Sequence, residues 1–150
     1  MGCSDDIRAI PRRGLLTRRG LLKGYLLDTN VALAGTFDPR RLSRRIRKAV
    51  ESGPCYISAI SYWEVMVKSR KGNLDVGNPA EWWSGTIESL ALRPLAFRAE
   101  HVAELRYMQG HHSDPFDRAL MAIARAEELA FLTMDKKLAE YASEHLQIVL

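Results

Sequence analysis

Two cysteines in 150 residues, Cys3 and Cys55, are too few to staple a secreted scaffold and too few for a four-thiolate zinc site. Long apolar runs are missing as well. No stretch approaches the roughly 18 apolar residues that span a bilayer, so the expectation is a soluble, cytoplasmic protein with no membrane partner. Ten glycines and six prolines without a repeat exclude collagenous and low-complexity chains, and 47% hydrophobic against 27% charged residues excludes wholesale disorder. An ordinary globular composition remains, at a length that makes one domain with a buried core.

An excess of charge is also lacking from most of the chain. The formal net charge is +4, but residues 1–24 hold six of the 22 Lys and Arg and two of the 18 Asp and Glu. The other 126 residues therefore balance at sixteen of each sign. The segment 1–24 has no sustained hydrophobic period and is broken by Pro11, Gly14, Gly20 and Gly24, which predicts a basic, mostly disordered tail ahead of one domain at 25–150. Its Arg18-Arg19 pair followed by Leu21-Leu22 has the outline of a twin-arginine export signal. The next apolar segment contains Asp28 and Asn30 and begins the fold, which argues against export. The start MGCSDD misses the myristoylation pattern, with Asp6 where Ser or Thr is required.

From Tyr25 onward short apolar runs alternate with helical periods, the pattern of an α/β fold with a parallel sheet covered by helices. Strands are predicted at 25–27, 55–58, 93–96 and 130–133, with a candidate fifth at 147–150. Helices are predicted at 42–51, from Ser58 or Ser61 to Lys71, from Pro79 to about Ala91, at 98–108 and from Pro115 to about Glu128, the last opened by Asp114-Pro115. A short helix follows Asp135.

Catalytic crevices of open parallel sheets lie at the carboxyl ends of the strands. Asp28 follows the first strand and Asp135 the fourth, so both emerge on that edge. Glu64 lies in the first turns of the helix leaving the second strand, and Asp117 in the first turn of the helix opened by Asp114. Four carboxylates far apart in sequence thus share one rim, with no lysine or arginine at their strand ends. Crowded carboxylates repel and call for a cation. Oxygen-only ligation suits Mg²⁺ or Mn²⁺ rather than zinc, and such an ion assists phosphodiester hydrolysis.

Each acid also has a plainer role. Asp114 is an ordinary N-cap, Asp117 suits a helix dipole, Asp135 suits a turn or cap, and Glu64 can pair Lys68 on a solvated face for about 0.3–0.5 kcal/mol. Asp28 is the exception, because an acid ending the first apolar strand is an odd choice for the edge of a core.

LLDTN at 26–30, SAISYWEVMVKSRKGNLDV at 58–76, HSDPFDRALMAIARA at 112–126 and LTMD at 132–135 resemble the PIN-domain ribonucleases, above all the toxins of VapBC-type toxin–antitoxin pairs. The resemblance covers about 25–150. It implies a PIN-like three-layer fold with a central parallel sheet of about five strands. It also implies a Mg²⁺-dependent endoribonuclease acting on RNA (Mn²⁺ being the alternative ion), homodimerisation, and neutralisation by a small VapB-like antitoxin. Carried over by position, the acids are Asp28, Glu64, Asp117 and Asp135, with the metal on Asp28 and Asp117 and with Glu64 and Asp135 supporting directly or through water. Thr29, Asn30 and Asp114 complete the blocks, and Thr133 is expected to position Asp135. The long basic tail departs from the family's pattern.

Arg40, Arg41, Arg44, Arg45, Arg47 and Lys48 put six cations into nine residues, either a phosphate-tracking face for RNA or a solvated helix face. Lys68, Arg70 and Lys71 form a weaker candidate of the same kind. His111-His112 in a polar loop reads as surface rather than metal ligation, Cys55 as a small core hydrophobe, and Trp63, Trp82 and Trp83 as packing residues with one of the adjacent pair turned outward. Rival functions are a non-catalytic PIN-fold module that binds nucleic acid or protein, a DNA nuclease, and a phosphatase with an Asp nucleophile. The last needs a second acid two residues on, where Asn30 stands.

Overall fold

The computed structural model describes residues 16–17, 20–110 and 113–150. Five short strands build one parallel sheet: β1 (Tyr25–Leu27), β2 (Cys55–Ser58), β3 (Leu92–Leu95), β4 (Ala130–Leu132) and β5 (Ile148–Val149), in the order β3-β2-β1-β4-β5. Tyr25 pairs with both Cys55 and Ala130, and Leu27 with Leu132. The central strands read as unbroken apolar runs because both faces of the sheet are covered. Leu27 and Leu132 point into one core with Val31, Ile46 and Trp82, while Leu26 and Phe131 point into the other with Leu120, Met121 and Ile123. The expected three-layer α/β fold is thus observed.

The helices are α1 (Thr29–Phe37), α2 (Arg44–Ser52), α3 (Ala59–Arg70), α4 (Pro79–Ser89), α5 (Ala99–Glu104) and α6 (Pro115–Ala126). Side-chain caps fix four of their starts: Ser43 accepts from the Ile46 N–H, Ser58 from Ile60, Asn78 from Ala80, and Asp114 from Phe116 and Asp117. Ser58, not Ser61, therefore opens α3. The expected helix at 42–51 begins two residues later, because Ser43 caps it and Pro39–Arg41 forms a separate 3₁₀ turn. That at 98–108 is α5 followed by a 3₁₀ turn at Leu105–Tyr107. No helix was expected at Thr29–Phe37. Buried Val31, Ala32 and Ala34 leave this segment without a polar face to mark a helical period.

Residues 1–15, 18, 19, 111 and 112 lie outside the described residues, and with them most of the expected tail and the His111-His112 pair. Where the tail is described, Leu16–Thr17 pairs antiparallel with Gly20–Leu21. Leu22 joins the core and Lys23 pairs with Glu128 at 2.9 Å. Gly24 has φ +147°, and a Cβ there would lie 2.4 Å from the Pro54 carbonyl, the acceptor of the Tyr25 N–H. Among the residues whose burial is described, packing onto the body thus already includes Leu22, ahead of Tyr25.

Candidate active site

The strand order sets where a site can form. From β1 the chain winds outward to β2 and β3, then returns to the other side of β1 to lay down β4 and β5. Such a reversal opens a crevice beyond the carboxyl ends of the two strands that flank it, here β1 and β4.

Asp28 stands at this point. It is almost wholly buried, at 2% exposure, and its N–H donates to Leu132 O of β4 at 2.8 Å. An aspartate at a helix N-cap ordinarily accepts from the first turn, yet the Asp28 side chain makes no capping hydrogen bond to α1. Instead the buried Thr133 hydroxyl donates to its Oδ2 at 2.7 Å. Burial, then the neighbouring charge of Asp117 and to a smaller extent Glu64, pushes the Asp28 carboxyl up to about 7, against the pull of the Thr133 bond and the Thr29 backbone. Asp28 and Asp117 are thereby brought into electrostatic contact from opposite ends of the chain.

Glu64, on the second turn of α3, is buried to 2% exposure. Its Oε2 accepts from the Thr29 hydroxyl at 2.5 Å, and Thr29 Oγ1 also lies 3.0 Å from Ser61 Oγ. Its Oε1 accepts from Lys68 Nζ at 2.5 Å. The anticipated Glu64–Lys68 pair exists, but its acid end is inside the protein rather than on a solvated face. A cation from the helix thus stands beside the acids, although none occupies their strand ends. Burial works to lower the Lys68 pKa. The hydrogen bond and charge of Glu64, with the charges of Asp114 and Asp117, overcome it and hold the ammonium above the ordinary lysine range.

The remaining candidates divide. Asp114 Oδ1 caps α6 at 2.9 Å from the Phe116 N–H and 3.2 Å from that of Asp117, and so aims the first turn carrying Asp117. Asp135 Oδ1 accepts from the Lys137 N–H at 2.9 Å, capping the 3₁₀ helix Lys136–Tyr141. Thr133 does not donate to the Asp135 side chain as expected. Its hydroxyl goes to Asp28, and it accepts from the Asp135 N–H at 3.1 Å. Asn30 is exposed on the first turn of α1. With Phe37, Arg41 and Asp75 it lines a groove of about 230 Å³. Arg40, Arg41, Arg44, Arg45, Arg47 and Lys48 are all exposed. Trp82 is buried and Trp83 stacks on Tyr62, whereas Trp63, expected to pack inside, is 59% exposed and meets Phe116 edge-on. Burial pushes the Cys55 thiol up to about 12, in keeping with a core hydrophobe.

Among the described residues, no three Asp, Glu, His or Cys side chains stand close enough together as they lie to hold one ion. The donor set still fits a hard cation, because Asp28 and Asp117 are oxygen donors whose mutual repulsion a divalent ion would relieve. Sequence reading found the Glu64–Lys68 spacing but placed the pair in solvent, and it missed the direct bond from Thr133 to Asp28.

Residues 25–144 match the PIN domain family model, and the chain belongs to the PIN domain family. Similar solved structures include VapBC2 from Rickettsia felis bound to a DNA fragment from its promoter, at 18% identity and TM-score 0.60, covering 83% of this chain and 96% of that one. VapBC-1 from nontypeable Haemophilus influenzae is similar at 17% identity and TM-score 0.60, covering 83% and 96%. VapBC-5, a member of the VapBC family of toxin–antitoxin systems from Mycobacterium tuberculosis, is similar at 16% identity and TM-score 0.56, covering 85% and 98%. No curated protein matches the chain. Among the described residues no helix is long and apolar enough to cross a membrane.

Proposed function

We propose that this PIN domain is a metal-dependent endoribonuclease and the toxin of a type II toxin–antitoxin pair. The observation that carries the reading is the coupling of buried Asp28 to Asp117 at the β1/β4 crevice, with Asp28 held by Thr133 instead of capping its own helix. Mg²⁺ or Mn²⁺ on Asp28 and Asp117, with Glu64 and Asp135 in support, would polarise a phosphoryl oxygen and lower the pKa of water. The chain's own residues do the positioning. Thr133 fixes the rotation of the Asp28 carboxylate, Thr29 holds Glu64, and Asp114 aims the turn that carries Asp117. Asn30 and the exposed cations from Arg40 to Lys48 are the surface proposed to meet the RNA backbone.

Similarity to several VapBC structures supports an antitoxin as partner; a homodimeric toxin acting in the cytoplasm is part of the same proposal. The test is cleavage of a single-stranded RNA by the metal-free chain with and without added MgCl₂. Wild type should cleave only with metal, and D28A and D117A should not cleave while keeping the wild-type circular dichroism spectrum. Undiminished cleavage by either variant would overturn the assignment, and preference for single-stranded DNA would move it to a DNA nuclease.

A further inference from the structure

Glu64 reaches the acidic site with neither carboxylate oxygen unengaged. Oε2 takes the Thr29 hydroxyl and Oε1 takes the Lys68 ammonium, each at 2.5 Å. Glu64 itself is 97% buried by side chain, whereas Lys68 keeps 39% of its side chain in solvent. The lysine can therefore swing out on its flexible stem while the glutamate cannot move without breaking the core. Asp114 and Asp117 lie within electrostatic reach of the same ammonium. Arg70 and Lys71, the next cations along the chain, are exposed.

A carboxylate with both oxygens committed is poorly placed to ligate an ion, in keeping with the lack of a ready-made group of three ligands among the described residues. We propose that Lys68 is a positioning residue of the acidic site: its ammonium occupies Glu64 in the metal-free chain, and a divalent ion gains Glu64 only by displacing it. Lys68 thereby sets how tightly the site takes metal. This rests on the reading of Asp28 and Asp117 as a metal centre.

The measurement is Mn²⁺ binding to the full-length, metal-free chain, followed by electron paramagnetic resonance of the free ion, which needs no substrate and no turnover. Lys68→Met, which keeps the stem and removes the charge, should bind Mn²⁺ about tenfold more tightly than wild type, and Lys68→Arg should bind as wild type does. In an E64Q background the gain from Lys68→Met should shrink to under about threefold, because the lysine acts through that carboxylate. Lys68→Gln serves the same comparison if the methionine variant does not fold. Wild-type or weaker affinity in the uncharged variant, or an equal gain in the E64Q background, overturns the role of Lys68 and leaves the metal centre standing. A wild-type chain that binds no Mn²⁺ overturns the metal centre, and this proposal with it.

Discussion

Thr133 is the residue whose role the sequence concealed most completely. In LTMD it stands beside Asp135, so a local partner was the natural expectation, yet its hydroxyl crosses to Asp28, 105 residues away. No sequence pattern announces a bond between the ends of two strands whose adjacency is itself unknown. Lys68 was concealed differently, since its spacing from Glu64 was plain but i,i+4 pairs usually lie in solvent. Only the burial of Glu64 changes its meaning. Thr133→Val should lower metal affinity and cleavage by about 10- to 100-fold, with Thr133→Ser close to wild type. Isothermal titration with Mn²⁺ beside an RNA cleavage assay checks this, and a fully active Thr133→Val chain would refute it.

The Asp28 carboxyl gives a second prediction at the same scale. An aspartate in water titrates near ~3.9, whereas Asp28 in the fold does so at about 7. Between those values the native chain keeps a proton that the unfolded chain has lost. The stability of the metal-free protein should therefore fall as pH rises through this window and level off above it. The contribution is up to about 4 kcal/mol, and Asp28→Asn removes it. Urea melts at pH 5 and pH 8 measure the slope in both proteins, and equal slopes would refute the assignment.

At the scale of elements, sequence legibility followed polarity contrast. α6 was plain because Asp114-Pro115 opens it and its buried face, Leu120, Ile123 and Ala124, has a helical period. α1 escaped notice because Val31, Ala32 and Ala34 are buried with few polar neighbours to set off a face. Strand positions were legible as short apolar runs, and their ends differ from expectation by a residue or so because pairing, not composition, decides where a ladder stops. Asp114 is the residue in which element and site meet. Asp114→Ala should cost about 1 kcal/mol, or about 2–4 °C in Tm, through loss of the α6 cap, with Asp114→Asn near wild type. Thermal melts decide this. An alanine variant as stable as wild type would remove Asp114 from its capping role.

For the whole molecule, the balanced body is polarised. The exposed cations from Arg40 to Lys48 sit on a 3₁₀ turn and on α2, whose first turn opens with Arg44 and Arg45 and holds no acid. Cations at a helix N-terminus oppose its dipole, so this cluster does not serve the helix that carries it. Replacing Arg44 and Arg45 with Glu should weaken binding of a single-stranded RNA to the D28N chain and flatten its salt dependence by about 0.7 in log–log slope per lost phosphate contact. Fluorescence anisotropy across a salt series reads both, and unchanged slopes would return the cluster to a solvated helix face.

Because Asp28 takes its backbone partner from Leu132 and its side-chain partner from Thr133, the acidic site depends on a junction between the first and fourth strands laid down. During synthesis, Asp28 leaves the ribosome more than a hundred residues before the threonine that orients it. A nascent or prematurely terminated chain ending ahead of Thr133 thus has no oriented Asp28 at all, rather than a weakened one. Orientation of the acidic site is thus deferred until Thr133 has been made and the fourth strand has paired with the first.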